Sequence, residues 1–452
     1  MSRLFGTDGV RGPAGAVLTA ELALRLGRAA VLGGIASGRL QGDDPATARV
    51  GRPRVLIARD TRESGPMLEA AFAAGAAASG ADVFVAGVLP TPGAALLARR
   101  LGFDLAAVIS ASHNPFADNG IKLFGPDGRK LPDAGEARVA ELVEQLPDAD
   151  TRGTDIGTIS PLLGATEDHL RALDERFAAL DLAGVRVALD CAHGATVDVA
   201  AEAFRRRGAD VVVLGDRPDG RNINAGVGST HPEALVELVA EQGCSVGFAF
   251  DGDGDRMLAV DHDGRVYDGD ELLALIAVHL RDAGRLTGGV AVTVMSNYGF
   301  HAAMEAAGIP VAITPVGDRH VMQALDAEGW NLGGEQSGHL IETGFVPSGD
   351  GVAAALLVME ALDGGRLADR QAMERLPQVL RNVPVADRDG AMADSGFLDA
   401  VSAADAELAG RGRVLVRASG TEQLVRVMAE APTQDEAQAV CDRLVALVPG
   451  AR

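Results

Sequence analysis

Cysteine is scarce in this chain: three in 452 residues, at Cys191, Cys244 and Cys441, scattered and without metal-ligand spacing. That pattern points to buried free thiols rather than disulfides, and to a reducing compartment. Aromatic residues are few, 4% of the chain with one Trp and two Tyr, against 57 Gly. The core must therefore be packed with Ala, Val and Leu, between many tight turns. Positive charge is also short, 41 Lys and Arg against 63 Asp and Glu, for a net charge of −22. A nucleic acid or an anionic membrane, which needs basic surface, is thereby a poor partner. A phosphorylated small molecule is not excluded, because a site needs only a few local cations. The N-terminus has no apolar signal segment, and the Ala-rich run from Ala70 to Ala81 falls short of the about 20 residues a bilayer requires. A cytoplasmic location is expected.

At this length one core is not enough, and roughly three or four domains of about 100–150 residues are expected. The chain alternates strand and helix signals. Strand Val55–Ala58, helix Pro66–Ala78, strand Asp82–Ala86, helix Gly93–Leu101 and strand Leu105–Ile109 read as a mostly parallel three-layer domain. After a charged linker, Asp148 to Pro161, the alternation restarts and leads to strand Val246–Phe250. A third series runs through Val290–Val294 and Val311–Thr314 to helix Gly351–Leu362. From about Asn382 the pattern changes to a smaller α+β domain. The expected boundaries are 1–155, 156–260, 261–375 and 376–452. Three strand-terminal loops from three βα series suggest internal repetition.

Chemistry-bearing residues gather where strands end, which is where ligands sit in open α/β sheets. Ile109-Ser-Ala-Ser-His-Asn-Pro115 and the following Asp118-Asn-Gly-Ile-Lys122 read as one loop. It offers a hydroxyl (Ser112), an imidazole (His113) and an ammonium (Lys122). A hydroxyl can accept and return a phosphoryl group while a nearby Lys offsets the charge of the moving oxygens. Asp251-Gly-Asp-Gly-Asp-Arg256 presents Asp251, Asp253 and Asp255 at the end of a buried strand, a set that suits a hard divalent cation. It is not an EF-hand: Arg256 stands where that loop's Gly belongs, and His262 where its Glu belongs. Phe5-Gly-Thr-Asp-Gly-Val-Arg-Gly12 places Arg11, a bidentate phosphate ligand, among glycines. Pro315-Val-Gly-Asp-Arg319 is a further ligand-facing loop. Glu335 and Ser337 are spaced to bond adjacent sugar hydroxyls, and His339 beside them is suited to acid–base work or to a structural role. In the last domain Arg417, Ser419, Gly420, Thr421 and Arg426 offer charge, hydroxyls and backbone N–H groups to a phosphate.

These motifs, in this order and over essentially the whole chain, resemble the α-D-phosphohexomutase superfamily. The Ser-Ala-Ser-His-Asn-Pro form of the Ser112 loop and Gly333-Gly-Glu-Gln-Ser-Gly-His339 are similar to its glucosamine-phosphate branch. Relatives acting on mannose or glucose phosphates tend to have Gly before the active Ser and another residue in place of Gln336. The resemblance implies an α/β protein of three repeated three-layer α/β/α domains plus a smaller C-terminal α+β domain around a central cleft. It implies that Ser112, not Ser110, carries phosphate and joins Asp251, Asp253 and Asp255 around one Mg²⁺ per subunit. Lys122 and His339, with Arg11 and His113, are then candidates for acid–base and charge-stabilising roles. Glu335, Ser337 and Arg319 would hold the sugar, and Arg417, Ser419, Gly420, Thr421 and Arg426 the non-reacting phosphate. The implied reaction interconverts glucosamine 6-phosphate and glucosamine 1-phosphate through a 1,6-bisphosphate, with glucosamine or glucose 1,6-bisphosphate as activator or intermediate, and supplies a precursor of UDP-N-acetylglucosamine and peptidoglycan. A homodimer is the family expectation. The alternative within the superfamily is a mutase for mannose or glucose phosphates. His193, where Asn is usual, and Gln423, where Pro is common, depart from the pattern without touching the nucleophile or the metal ligands.

Overall fold

A computed structural model describes residues 4–6, 8–34, 51–146, 155–419 and 422–451. Thr7, residues 35–50, Gly420, Thr421 and the first half of the linker lie outside them. The chain divides into two compact units: Met1–Val294 with Ala312–Arg370, and Met295–Val311 with Gln371–Arg452. Among the described residues no helix is long and apolar enough to cross a membrane.

The first unit holds three sheets. In the first, β1 (Val10–Pro13), β2 (Arg54–Arg59), β3 (Asp82–Val88), β4 (Leu105–Ile109), β5 (Asp118–Phe124) and β6 (Ile159–Pro161) follow the order β1-β5-β4-β2-β3-β6. The strand β4, Leu-Ala-Ala-Val-Ile, is buried at all five positions, as a continuous apolar run must be when both sheet faces are covered. Helix Ala20–Ala29 starts where Thr19 accepts the Leu22 N–H, and its buried face, with Leu26, meets Phe72 of helix Gly65–Ala78 in one core.

The second sheet contains β7 (Arg186–Asp190), β8 (Asp210–Leu214), β9 (Val246–Phe250), β10 (Met257–Asp261) and β11 (Val266–Tyr267), in the order β11-β10-β9-β7-β8. The third has β12 (Val290–Thr293), β13 (Val311–Thr314), β14 (Leu332–Gly334) and β15 (Leu340–Glu342), in the order β13-β12-β14-β15. One arrangement recurs in all three. A parallel pair is followed by a strand that turns back antiparallel on the second member: β2, β4, β5; then β7, β9, β10; then β12, β14, β15. The repetition suspected from the strand–helix alternation is thus a repeat of topology.

The second unit contains the antiparallel sheet β16 (Gln378–Pro384), β17 (Arg413–Ala418) and β18 (Leu424–Glu430), in the order β16-β18-β17, with helices Ser395–Leu408 and Gln434–Val445. Helix Tyr298–Ala306 belongs to it. The fully buried Glu430 accepts the Tyr298 N–H (2.8 Å) and Arg413 Nε (2.7 Å).

Three expectations need correction. Asp118 to Lys122 is not loop but the start of β5, antiparallel to β4 and carrying Lys122 opposite Val108. Gly120 does not break this strand. A Cβ there would run into the Ser110 carbonyl and Arg11 Cγ, so the position needs Gly for close approach. The Gly-rich segment near Arg11 is likewise partly strand: β1 pairs with β5, Arg11 facing Gly120. The linker's last three residues, β6, pair with β3.

Candidate active site

The three sequence motifs are the turns of the three equivalent hairpins. The turn from β4 to β5 carries Ser112 and His113, that from β9 to β10 carries the three Asp, and that from β14 to β15 carries Glu335, Ser337 and His339.

Two serines in the first turn have separate partners. The Ser110 hydroxyl donates to Asp60 Oδ2 (2.5 Å) and accepts the Ser112 N–H (2.9 Å), so it is committed to the scaffold. The Ser112 hydroxyl donates to Asp251 Oδ2 (2.5 Å), in the acidic loop. Its backbone is left-handed, φ +53°, a conformation that costs a non-Gly residue on the order of 1–3 kcal/mol and must be imposed by the surroundings.

Asp251, Asp253 and Asp255 are all buried, each with a carboxylate oxygen within 4.8 Å of the others'. Burial, reinforced by Asp255 and Asp253, drives the Asp251 carboxyl well above its usual range. Burial also acts to raise Asp255, but Lys122 and His339 outweigh it and hold that carboxyl well below. Lys122 Nζ lies 2.8 Å from Asp253 Oδ2, 3.4 Å from Asp255 Oδ2 and 3.2 Å from Asp8 Oδ2. Burial works against its charge; the three carboxylates prevail and keep it an ammonium. The ammonium serves the Oδ2 side only. Asp253 Oδ1 and Asp255 Oδ1 are buried without any hydrogen-bond partner. Two carboxylate oxygens without hydrogen bonds, that of Asp255 with only Arg256 Nε 3.9 Å away, stand beside Asp251 and a hydroxyl, a donor set that an oxygen-liganded divalent cation satisfies.

His113 Nδ1 lies 3.3 Å from Ser112 Oγ and accepts from Arg256 Nη1 (3.2 Å). Burial, then repulsion by Arg256 and Arg11, pushes its pKa down to about 4, so the ring is neutral near pH 7. The Arg11 guanidinium is paired with Asp8.

Ring nitrogens of His339 stand 3.7 Å from Asp255 and 3.7 Å from Asp318, while the Gly349 N–H donates to Nε2 (3.1 Å). Burial disfavours its charge, and Asp255 and Asp318 overcome that and raise its pKa. The Gly349 amide occupies Nε2, which leaves Nδ1 facing Asp255. Glu335 Oε1 accepts the Gly317 N–H (3.1 Å), and Ser337 is exposed. Gln336 donates to Asp268 (3.2 Å), which caps helix Gly269–Asp282. A cavity of about 400 Å³ opens beside His339, lined also by Lys130, Asp318, Arg319 and Ser348. Arg319 is tied to Asp133 and Glu136 rather than free.

In the second unit, Arg417 and Arg426 occupy facing register positions on β17 and β18. Burial, then the charge of Arg426, lowers the Arg417 pKa. Among the described residues neither is paired with a carboxylate, so the two positive charges face each other uncompensated. Ser419 is buried, and its hydroxyl accepts the Glu422 N–H (3.3 Å).

Several residues around the site carry no motif. Lys130 bridges Asp8 and Asp318. Thr91 Oγ1 donates to Asp253 Oδ2 (2.5 Å). Asp60, Arg62 and Asn224 surround the Ser112 turn. Position was a signal for the first two only: Asp60-Thr-Arg62 follows directly on the C-terminal end of β2.

Four family models match in order: Phosphoglucomutase/phosphomannomutase alpha/beta/alpha domain I over residues 2–149, domain II over 167–264, domain III over 268–380 and the C-terminal domain over 380–447. A phosphoglucosamine mutase of Moorella thermoacetica is 48% identical over 100% of both chains. The chain belongs to the phosphoglucomutase/phosphomannomutase family. Another member, a phosphoglucosamine mutase of Geobacillus kaustophilus, is 46% identical over 99% of this chain and 98% of its own. Among solved members, a family protein of Burkholderia thailandensis superposes with a TM-score of 0.81 at 25% identity, covering 100% of this chain and 99% of that one. An Aspergillus fumigatus N-acetylphosphoglucosamine mutase, in complex with GlcNAc-6P and magnesium, shares the fold at a TM-score of 0.69 and 19% identity, over 99% and 96% of the two chains. The buried triad Asp251, Asp253 and Asp255 is a set of residues able to bind a metal ion.

Proposed function

We propose that this mutase interconverts glucosamine 6-phosphate and glucosamine 1-phosphate. Phosphorylated Ser112 gives its phosphoryl group to the free hydroxyl of the substrate, forming glucosamine 1,6-bisphosphate. The bisphosphate turns over in the site and returns its other phosphoryl group to Ser112. The observation that carries the reading is the Ser112 hydroxyl held on Asp251 beside two carboxylate oxygens without hydrogen bonds. The substrate class rests on the full-length relatives named phosphoglucosamine mutase.

Asp251, Asp253, Asp255 and the phosphorylated Ser112 would hold Mg²⁺, which when bound offsets charge on the transferring phosphoryl oxygens. Lys122 contributes a fixed ammonium next to the same loop, a charge-stabilising role more than a basic one. His113, neutral and accepting from Arg256, cannot donate a proton from Nδ1. Glu335 and Ser337 bond sugar hydroxyls, and His339 is the proton-transfer candidate near the cavity. Arg319 would have to exchange its carboxylate partners to reach a sugar. Arg417, Ser419 and Arg426, with Gly420 and Thr421, bind the non-reacting phosphate.

The test is turnover of the purified protein with Mg²⁺ and a trace of glucose 1,6-bisphosphate, comparing glucosamine, mannose and glucose 6-phosphates. A strong preference for the amino sugar is expected. Equal or faster turnover of mannose or glucose phosphates would move the protein to the other branch of the family.

A further inference from the structure

Among the described residues five non-glycine positions have left-handed backbone, the exposed Asp363 and four others, Ser112, Ala192, His193 and Asn224, with φ between +49° and +58°. These four lie within one knot of contacts around the Ser112 turn. Arg62 is completely buried, and its guanidinium spends itself on that turn. Nη2 donates to the carbonyls of Ser112 (2.8 Å) and Asn114 (2.8 Å), and Nη1 to those of Asp118 (3.0 Å) and Pro115. Nε is left for Asp60 (2.8 Å), the carboxylate that also accepts from Ser110.

Asn224 approaches the same carbonyls from the second repeat. Its Nδ2 donates to Ser112 O (2.9 Å) and to Asn114 O (3.1 Å). Its own backbone N–H is fixed on Ala192 O (2.9 Å), and Thr61, next to Arg62, donates to His193 O (2.5 Å). Gly252 of the acidic loop closes the knot: a Cβ there would lie 2.5 Å from Ser112 O and 2.9 Å from Asn224 Nδ2. Two carbonyls, Ser112 and Asn114, therefore each accept from both Arg62 and Asn224.

We infer that Arg62 and Asn224 are a paired positioning clamp. Pulling the carbonyls of Ser112 and Asn114 to one side forces Ser112 into its left-handed conformation and aims Oγ at Asp251 instead of at solvent. Neither residue touches the reacting atoms. Their effect passes through the backbone of the nucleophile and is felt in the transfer step, where displacement by about 1 Å costs roughly 100-fold. Strain in a nucleophile's turn, held by outside hydrogen bonds, is a known way of pre-setting an active group. The inference rests on the reading of Ser112 as the phosphoryl carrier.

Two variants test it. Asn224→Gly removes the amide donor, and glycine adopts the left-handed backbone at no cost. Arg62→Lys keeps a cation on Asp60 but has one nitrogen in place of the fork. Both are compared with wild type and Ser112→Ala in steady-state turnover of glucosamine 6-phosphate, in label uptake from phosphoryl-labelled glucose 1,6-bisphosphate, and in circular dichroism. The expected result is a fall in kcat of about 100-fold for Arg62→Lys and about 10-fold or more for Asn224→Gly. KM should stay within about threefold and the dichroism should be unchanged. Because the two residues share carbonyls, the double variant should lose less than the product of the two factors. If Ser112→Ala loses label uptake while either clamp variant keeps more than half of wild-type kcat, the inference is wrong. A kcat that falls only in step with the folded fraction also overturns it, by reducing the residues to structural ones. Label uptake that persists in Ser112→Ala would instead remove the reading beneath it.

Discussion

Ser112 Oγ donates to Asp251 Oδ2 across 2.5 Å, joining the first repeat of the chain to the second. Ser110, two residues earlier, is bound inside its own repeat to Asp60. Ser112→Ala should therefore lower turnover to background. Ser110→Ala should destabilise the protein by about 1–3 kcal/mol, the cost of leaving buried partners unmet, yet retain a substantial fraction of activity. Equal loss of turnover in both variants would reverse the assignment of the nucleophile.

The oxygens without hydrogen bonds on Asp253 and Asp255 make a second expectation. Chelator should abolish turnover and excess Mg²⁺ restore it. The same ion should raise thermal stability, by about 2.7 kcal/mol at a concentration 100 times its dissociation constant. Melting curves with and without Mg²⁺, for wild type and for Asp253→Asn, measure this directly. Full activity in chelator would rule out the metal role of the triad.

Arg417 and Arg426 face each other, and among the described residues no carboxylate pairs with either. If they bind the phosphate that does not react, that contact is present in ground state and transition state alike, and its loss appears in KM. Arg417→Ala should raise KM for the hexosamine phosphate by about 10- to 100-fold, from roughly 1.5–3 kcal/mol for a charged hydrogen bond. Its kcat should change much less. A kcat effect without a KM effect would place Arg417 elsewhere in the mechanism.

His301 gives a pH expectation for the second unit. Burial, then repulsion from Arg413, pushes its pKa down from 6.5 to about 4. Such a group favours the folded state when neutral. Its contribution is present above pH 6.5 and is lost as the pH falls through about 4. Amide exchange in helix Tyr298–Ala306 should quicken across this window, and His301→Leu should flatten the dependence.

The sheet strands and the three turns were legible in the sequence because buried apolar runs and clustered carboxylates are local signals. Val246–Phe250 and Asp251, Asp253 and Asp255 are read from one window. Lys122 reads as loop in the sequence because Gly120, a residue type that weakens strands, stands two positions before it. Only the opposing strands reveal that this glycine admits the Ser110 carbonyl and Arg11. Arg62 and Asn224 escaped for a related reason. Each is a polar residue whose partners are backbone carbonyls 50 or more positions away, and a carbonyl leaves no trace in the sequence. Arg319 illustrates the opposite case. Its loop was found, but its ion pairs lie on helix Asp133–Gln145, which had not been singled out.

The recurring hairpin has a consequence for how damage spreads through this protein. In the reaction proposed above each repeat brings different groups, the first the Ser112 hydroxyl and the Lys122 ammonium, the second the acidic triad, the third Glu335, Ser337 and His339. A lesion in one turn leaves the other two chemically intact but idle, because no repeat contains a complete reaction. Chains inactivated in different repeats hold complementary halves of one machine, and they cannot share them while each remains a folded, separate molecule.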